Sequence, residues 1–134
     1  SIIDFDKWTI VDLPFVSDLQ KWYISHEIKD LRRINFLSAY DYSSIIHNKF
    51  DLCIGSHSIS ELAWDDFLAY YDTIIKNSEY FFYAGHSWNC GSELLQKKLD
   101  LIKEDFDLIK NWNESFNENY ELYNNLYVRK NDTI

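Results

Sequence analysis

Short β-branched or aromatic runs alternate along this chain with longer stretches in which apolar residues recur every three or four positions. Trp8-Thr9-Ile10-Val11 is the first run, ending at Asp12 ahead of Leu13 and Pro14, which predicts a strand and its stop. Phe15 to Lys29 follows, with Phe15, Leu19, Trp22 and Tyr23 at helical spacing, an amphipathic helix. Ile34-Asn35-Phe36-Leu37 is the next short strand, running into a polar loop from Ser38 to Ser44. Phe50 to Gly55 reads as a buried strand. Glu61 to Lys76 reads as a helix with Leu62, Phe67, Leu68, Tyr71, Ile74 and Ile75 on one side. Tyr80-Phe81-Phe82-Tyr83-Ala84 is an aromatic strand ended by Gly85 and His86. Ser92 to Glu104 is a helix carrying Leu94, Leu95, Leu99 and Ile102, with Ser92 as its cap. Phe106 to Ile109 and Tyr120 to Val128 are the last two strands, and a surface hairpin accounts for the Asn-rich stretch between them.

Strand–helix alternation followed by a closing pair of strands implies an α/β fold. The expected sheet is mostly parallel, with helices on both faces and a C-terminal antiparallel hairpin at its edge. Leu52 to Ile54 and Tyr80 to Ala84 are continuously apolar, as buried parallel strands are. With 134 residues, 46% of them apolar, the chain has the size and core material of one domain, residues 1–134. No apolar run is long enough to span a bilayer and nothing reads as a signal peptide, so no membrane partner and a cytoplasmic location are expected. The start, Ser1-Ile2-Ile3-Asp4-Phe5, reads as a chain cut from something longer.

Charge narrows the partners. Against 22 acidic residues stand 13 basic ones, a net −9, and the basic residues are dispersed, which argues against a nucleic-acid partner. Arg32-Arg33, Lys97-Lys98 and Arg129-Lys130 read as solvated surface. Cys53, inside an apolar run, reads as a small buried hydrophobe. His57, His86 and Cys90 match no zinc spacing, so no metal is expected.

Parallel sheets place ligands beyond the carboxyl ends of their strands. That directs attention to Asp12, Ala39 to Asp41, Ser56 to Ser60 and Gly85 to Cys90. Asp12 either accepts the hydroxyls of a nucleoside ribose or opens the turn before Pro14. Phe15 packs at a helix start, and Tyr40 and Asp41 lie in a polar surface loop. His57, with a free pKa near neutrality, is the histidine placed to serve as a general base, or is a bystander. Glu61 reads as a residue that opens the next helix. Tyr83, His86 and Trp88 suit the aromatic and polar wall of a sugar site, while Trp88 could equally seal the sheet end.

Two strings carry a family resemblance. Thr9-Ile10-Val11-Asp12-Leu13-Pro14, followed by Leu19 to Tyr23, resembles the second strand and helix of the class I S-adenosylmethionine-dependent methyltransferases. Phe50 to Leu62, reading FDLCIGSHSISEL, resembles the fourth-strand motif of that family, and more narrowly of its sugar O-methyltransferase group. The resemblance implies a Rossmann-like sheet and S-adenosylmethionine as cofactor. Asp12 would hold the ribose, Phe15 and Tyr40 would face the adenine, and Asp41 would accept from its amine. Ser56 would lie near the methionine part, His57 would act as base, and His86 and Trp88 would shape the acceptor pocket. The acceptor implied is a hydroxyl of a sugar-like or other small molecule.

One part of the pattern is missing. The chain has three glycines, Gly55, Gly85 and Gly91, and none precedes Asp12, where the family's glycine-rich turn belongs. The N-terminal strand of the family, which lies between its second and fourth strands, is also missing. A partial domain is therefore expected, a fragment of a larger methyltransferase, with exposed sheet edges covered by a partner chain or by self-association. The alternative is a truncated or degenerate methyltransferase-like module that binds or scaffolds without catalysis. A dehydrogenase relative is a weaker third reading, which the terminal hairpin opposes.

Overall fold

The computed structural model describes residues 5–86, 91–112, 114–117 and 120–130. The chain divides into two compact units, Ser1–Ile46 and His47–Ile134.

The first unit is a strand–helix–strand. β1 (Trp8–Asp12) is β-branched at its centre and pairs in parallel with β2 (Ile34–Ser38). Between them runs α1 (Pro14–Glu27), which starts on Pro14, where the fixed φ suits the first helical turn. The helix agrees with its periodicity, but the orientation of its apolar stripe does not. Phe15, Leu19, Trp22 and Tyr23 are 61–71% exposed. The one buried side chain of α1 is Ser17. The helix therefore turns a smaller, mixed face to the strands and leaves its aromatic stripe in solvent.

The second unit is built on a five-stranded sheet. β3 (Phe50–Ser56) pairs in parallel with β4 (Ser78–His86), and β4 pairs antiparallel with β7 (Tyr120–Arg129). β7 in turn pairs antiparallel with β5 (Phe106–Asn111) and with β6 (Glu114–Asn117), giving the order β3–β4–β7–β5 with β6 beside β7. The α/β architecture is thus present, parallel in its strand–helix–strand parts and antiparallel at the C-terminal end. β4 runs through Gly85 and His86 rather than stopping before them.

Three helices cover one side of this sheet: α2 (Ser58–Glu61), α3 (Trp64–Thr73) and α4 (Gly91–Asp105). Phe81, Tyr83, Phe106 and Tyr127 point from the strands into a core with Phe67, Tyr71, Ile75, Leu95 and Ile102. Tyr71 is anchored there by donating to Asp105 Oδ2 at 2.8 Å and to the Leu101 carbonyl at 3.1 Å. Strand alternation sends Leu52 and Ile54 to the opposite side, where they remain 47% and 45% exposed. The helices expected on both faces are therefore found, in this unit and among the described residues, on one.

The single long helix expected from Glu61 to Lys76 is broken in two. Leu62 and Ala63 are extended, with ψ of 140° and 161°, so α2 ends at Glu61 and α3 begins afresh at Trp64. The two outer strands also differ. β5 carries a register shift between Leu108 and Lys110, along with Asp107 and Lys110, devices that discourage further pairing. β3 is regular, contains neither proline nor lysine, and shows Leu52 and Ile54 beside its open edge.

Candidate functional site

In the first unit the strand ends bring Asp12 and the loop after β2 together. Asp12 pairs with Ser38 across the strands, and the Ala39 N–H donates to the Asp12 carbonyl at 2.8 Å. The Asp12 carboxylate is held by its own neighbours: Oδ1 accepts from the Leu13 N–H at 2.7 Å and Oδ2 from Gln20 Nε2 at 2.9 Å. That is the turn-opening role, with the helix glutamine added. A carboxylate accepts up to about four hydrogen bonds, so these two do not exclude a ribose hydroxyl. Phe15 stands exposed on the first turn of α1, so it takes no part in a core.

Tyr40 is 79% exposed and its ring is free to stack. Asp41 is committed locally, accepting from the Ser43 hydroxyl at 2.8 Å and from the Ser43 N–H at 3.3 Å. Those two bonds hold its carboxyl below the ordinary value. The loop is an aspartate-nucleated turn with one outward carboxylate oxygen.

In the second unit the ends of β3 and β4 converge on two imidazoles. Ser56 pairs with Ala84, and the His57 N–H then donates to the Ala84 carbonyl at 2.6 Å. His57 has φ 56° and ψ −40°, the only positive φ at a non-glycine position among the described residues. Such a backbone is costly for a side chain with a Cβ and persists only where neighbours hold it. Its ring lies 5.5 Å from that of His86, centroid to centroid, with the planes tilted by 36°. His86, 13% exposed in its side chain, places Nε2 3.6 Å from Glu61 Oε1. Glu61 therefore closes α2 and faces a histidine, rather than opening a helix.

One further expectation changes. Tyr83 is fully buried among the core aromatics and forms no part of a ligand wall. Trp88, like Ser87, Asn89 and Cys90, lies outside the described residues. Cys53 packs against the core, and burial pushes its thiol up to about 12 against an opposing hydrogen bond to Ser78. Among the described residues no group of three or more His, Cys, Asp and Glu could hold a metal ion. No helix among them is long and apolar enough to cross a membrane.

The residue that sequence reasoning missed is Lys98. It is fully buried, and Nζ donates to the carbonyls of Ile59 at 3.0 Å, Ser60 at 3.0 Å and Leu62 at 2.6 Å. Its neighbour Lys97 lies on the surface with Nζ 3.8 Å from the centre of the Trp64 ring, so the pair read as solvated is half core. A signal was available: position 98 completes an i, i+3, i+7 series with the buried Leu95 and Ile102. The chain matches no family model and no curated protein.

Proposed function

We propose that the chain is part of a class I S-adenosylmethionine-dependent methyltransferase acting on a hydroxyl of a sugar-like or other small molecule, with the Rossmann-like sheet of that family. One observation supports the reading above others. In each unit, the candidate residues fall at the carboxyl ends of parallel strands: Asp12, Tyr40 and Asp41 beyond β1 and β2, and Ser56, His57 and His86 at β3 and β4. When bound, the cofactor supplies a methyl group on a sulfonium. His57 would take the proton of the acceptor hydroxyl as the oxygen gains the methyl, and His86 would line the acceptor side. Asp12 would accept from the ribose, and Tyr40 would offer its face to the adenine.

Taken by unit, Asp12, Tyr40 and Asp41 suit a nucleoside in the first, and His57 and His86 suit an acceptor hydroxyl in the second. The glycine-rich turn that lets backbone approach the cofactor is not among them, because none of the three glycines precedes Asp12. In this reading a first strand and its turn come from elsewhere in the parent protein or from a partner chain, and the open edge of β3 is where a strand can add. Titration calorimetry tests this directly. S-adenosylmethionine added to the chain alone should give weak heats or none, and tight binding would overturn the claim that a part is missing. Supplying the strand and glycine turn should restore binding, and Asp12→Ala should then weaken it. The second reading, a non-catalytic module, gains if the completed protein still fails to bind.

A further inference from the structure

We propose that Lys98 is a positioning residue for His57, acting through the turn of α2. An ammonium group has three N–H donors, and here three carbonyl oxygens from one short segment, Ile59, Ser60 and Leu62, each receive one. The Phe67 ring centre lies 5.5 Å from the same nitrogen. These are the carbonyls left without helical partners where α2 stops and the chain turns extended at Leu62. Lys98 therefore sets where α2 ends and how the segment from His57 to Leu62 is folded.

The grip passes to His57 through Ser60. The Ser60 hydroxyl donates to the His57 carbonyl at 2.5 Å, while Ala84 holds the His57 N–H from the other side. Ser60 is completely buried against β4, and a Cβ on Gly85 would stand 3.0 Å from the Ser60 Cβ. The bare glycine is what lets the turn sit this close to the strand. With both sides of the peptide fixed, His57 is kept at its positive φ with its ring against His86. Glu61, the partner of His86, rides on the same turn. Two of the three groups that meet at this strand end are thus carried by a segment that one buried cation holds.

Lys98 donates to three carbonyls, two of them on buried residues, so removing the ammonium leaves acceptors unsatisfied and costs stability. An apolar side chain of similar length fills the space but lacks the three-way bond that specifies the turn. The catalytic weight of the clamp rests on the reading of His57 as a base; its geometry does not, and the test reads geometry.

Lys98→Met in the full chain should have a lower unfolding midpoint than the unaltered protein, and in its folded state should lose the proton–proton NOEs between the His57 and His86 rings. A folded Lys98→Met protein with those NOEs intact would overturn the proposal. Should Lys98→Met not fold, Ser60→Ala leaves the ammonium and its three carbonyls in place and cuts only the link to the His57 carbonyl. The same loss of ring contact is expected there, and unchanged ring contacts would be equally fatal.

Discussion

In the second unit Phe67, Tyr71, Phe81, Tyr83, Ile102 and Phe106 are at most 1% exposed and pack into one core across two helices and a sheet. In the first unit only Ser17 and Ile45 are buried among the described residues, and the largest apolar side chains of α1 face solvent. Both units were built from the same sequence signals, apolar runs for strands and three-to-four spacing for helices. The contrast teaches that periodicity specifies an amphipathic element without supplying the surface it packs on. One unit contains that surface and the other displays the need for it.

Substitution sharpens the contrast most at its extremes. Phe81→Ala should cost about 3–5 kcal/mol, because it opens a cavity where four aromatic rings meet. Trp22→Ala, removing an equally large ring from α1, should cost less than about 0.5 kcal/mol. Urea unfolding of both variants, followed by circular dichroism, checks the pair; comparable losses would erase the distinction between the units. Gly55→Ala is the next largest. A methyl group there would lie 2.6 Å from Ile59 Cγ1 and 3.3 Å from Phe81, so the core must shift, at about 1–3 kcal/mol. An unfolding midpoint left in place would mean that Ile59 has room to retreat.

The smallest expected effect is the pH dependence contributed by Cys53. Its thiol is pushed up from the ordinary 9.0 to about 12, so the folded state prefers the protonated form. That contribution is complete below about pH 9, where the unfolded thiol also keeps its proton, and is lost as pH rises from there toward about 12. Cys53→Val should flatten the alkaline decline in stability. An unaltered slope would place its origin in the tyrosines instead.

Much of the fold was legible in the sequence because strands, turns and helix starts are local. Ile10-Val11, Pro14 and the terminal pair of strands each declared themselves within a few residues. What stayed hidden was decided at a distance. The break at Leu62-Ala63 has no glycine or proline to announce it; it is held by Lys98, 36 residues away from Leu62. Tyr83 looked available for a ligand because an aromatic at a strand end suggests one, yet its neighbours on the strand, Phe81 and Gly85, put it on the core face. Asp12 was legible as two roles, and Gln20, one turn into α1, supplies the bond that favours the turn. His57 and His86 were each singled out, but their meeting depends on the parallel register of β3 and β4, which no local pattern encodes.

The positive φ of His57 has a consequence for any attempt to improve this protein. Glycine adopts such a backbone far more readily than any residue with a Cβ, so His57→Gly releases strain while removing the imidazole. Selection for folding alone therefore works against the imidazole at this one codon. A library sorted only for yield or heat resistance would discard the histidine early, and with it the ring that faces His86.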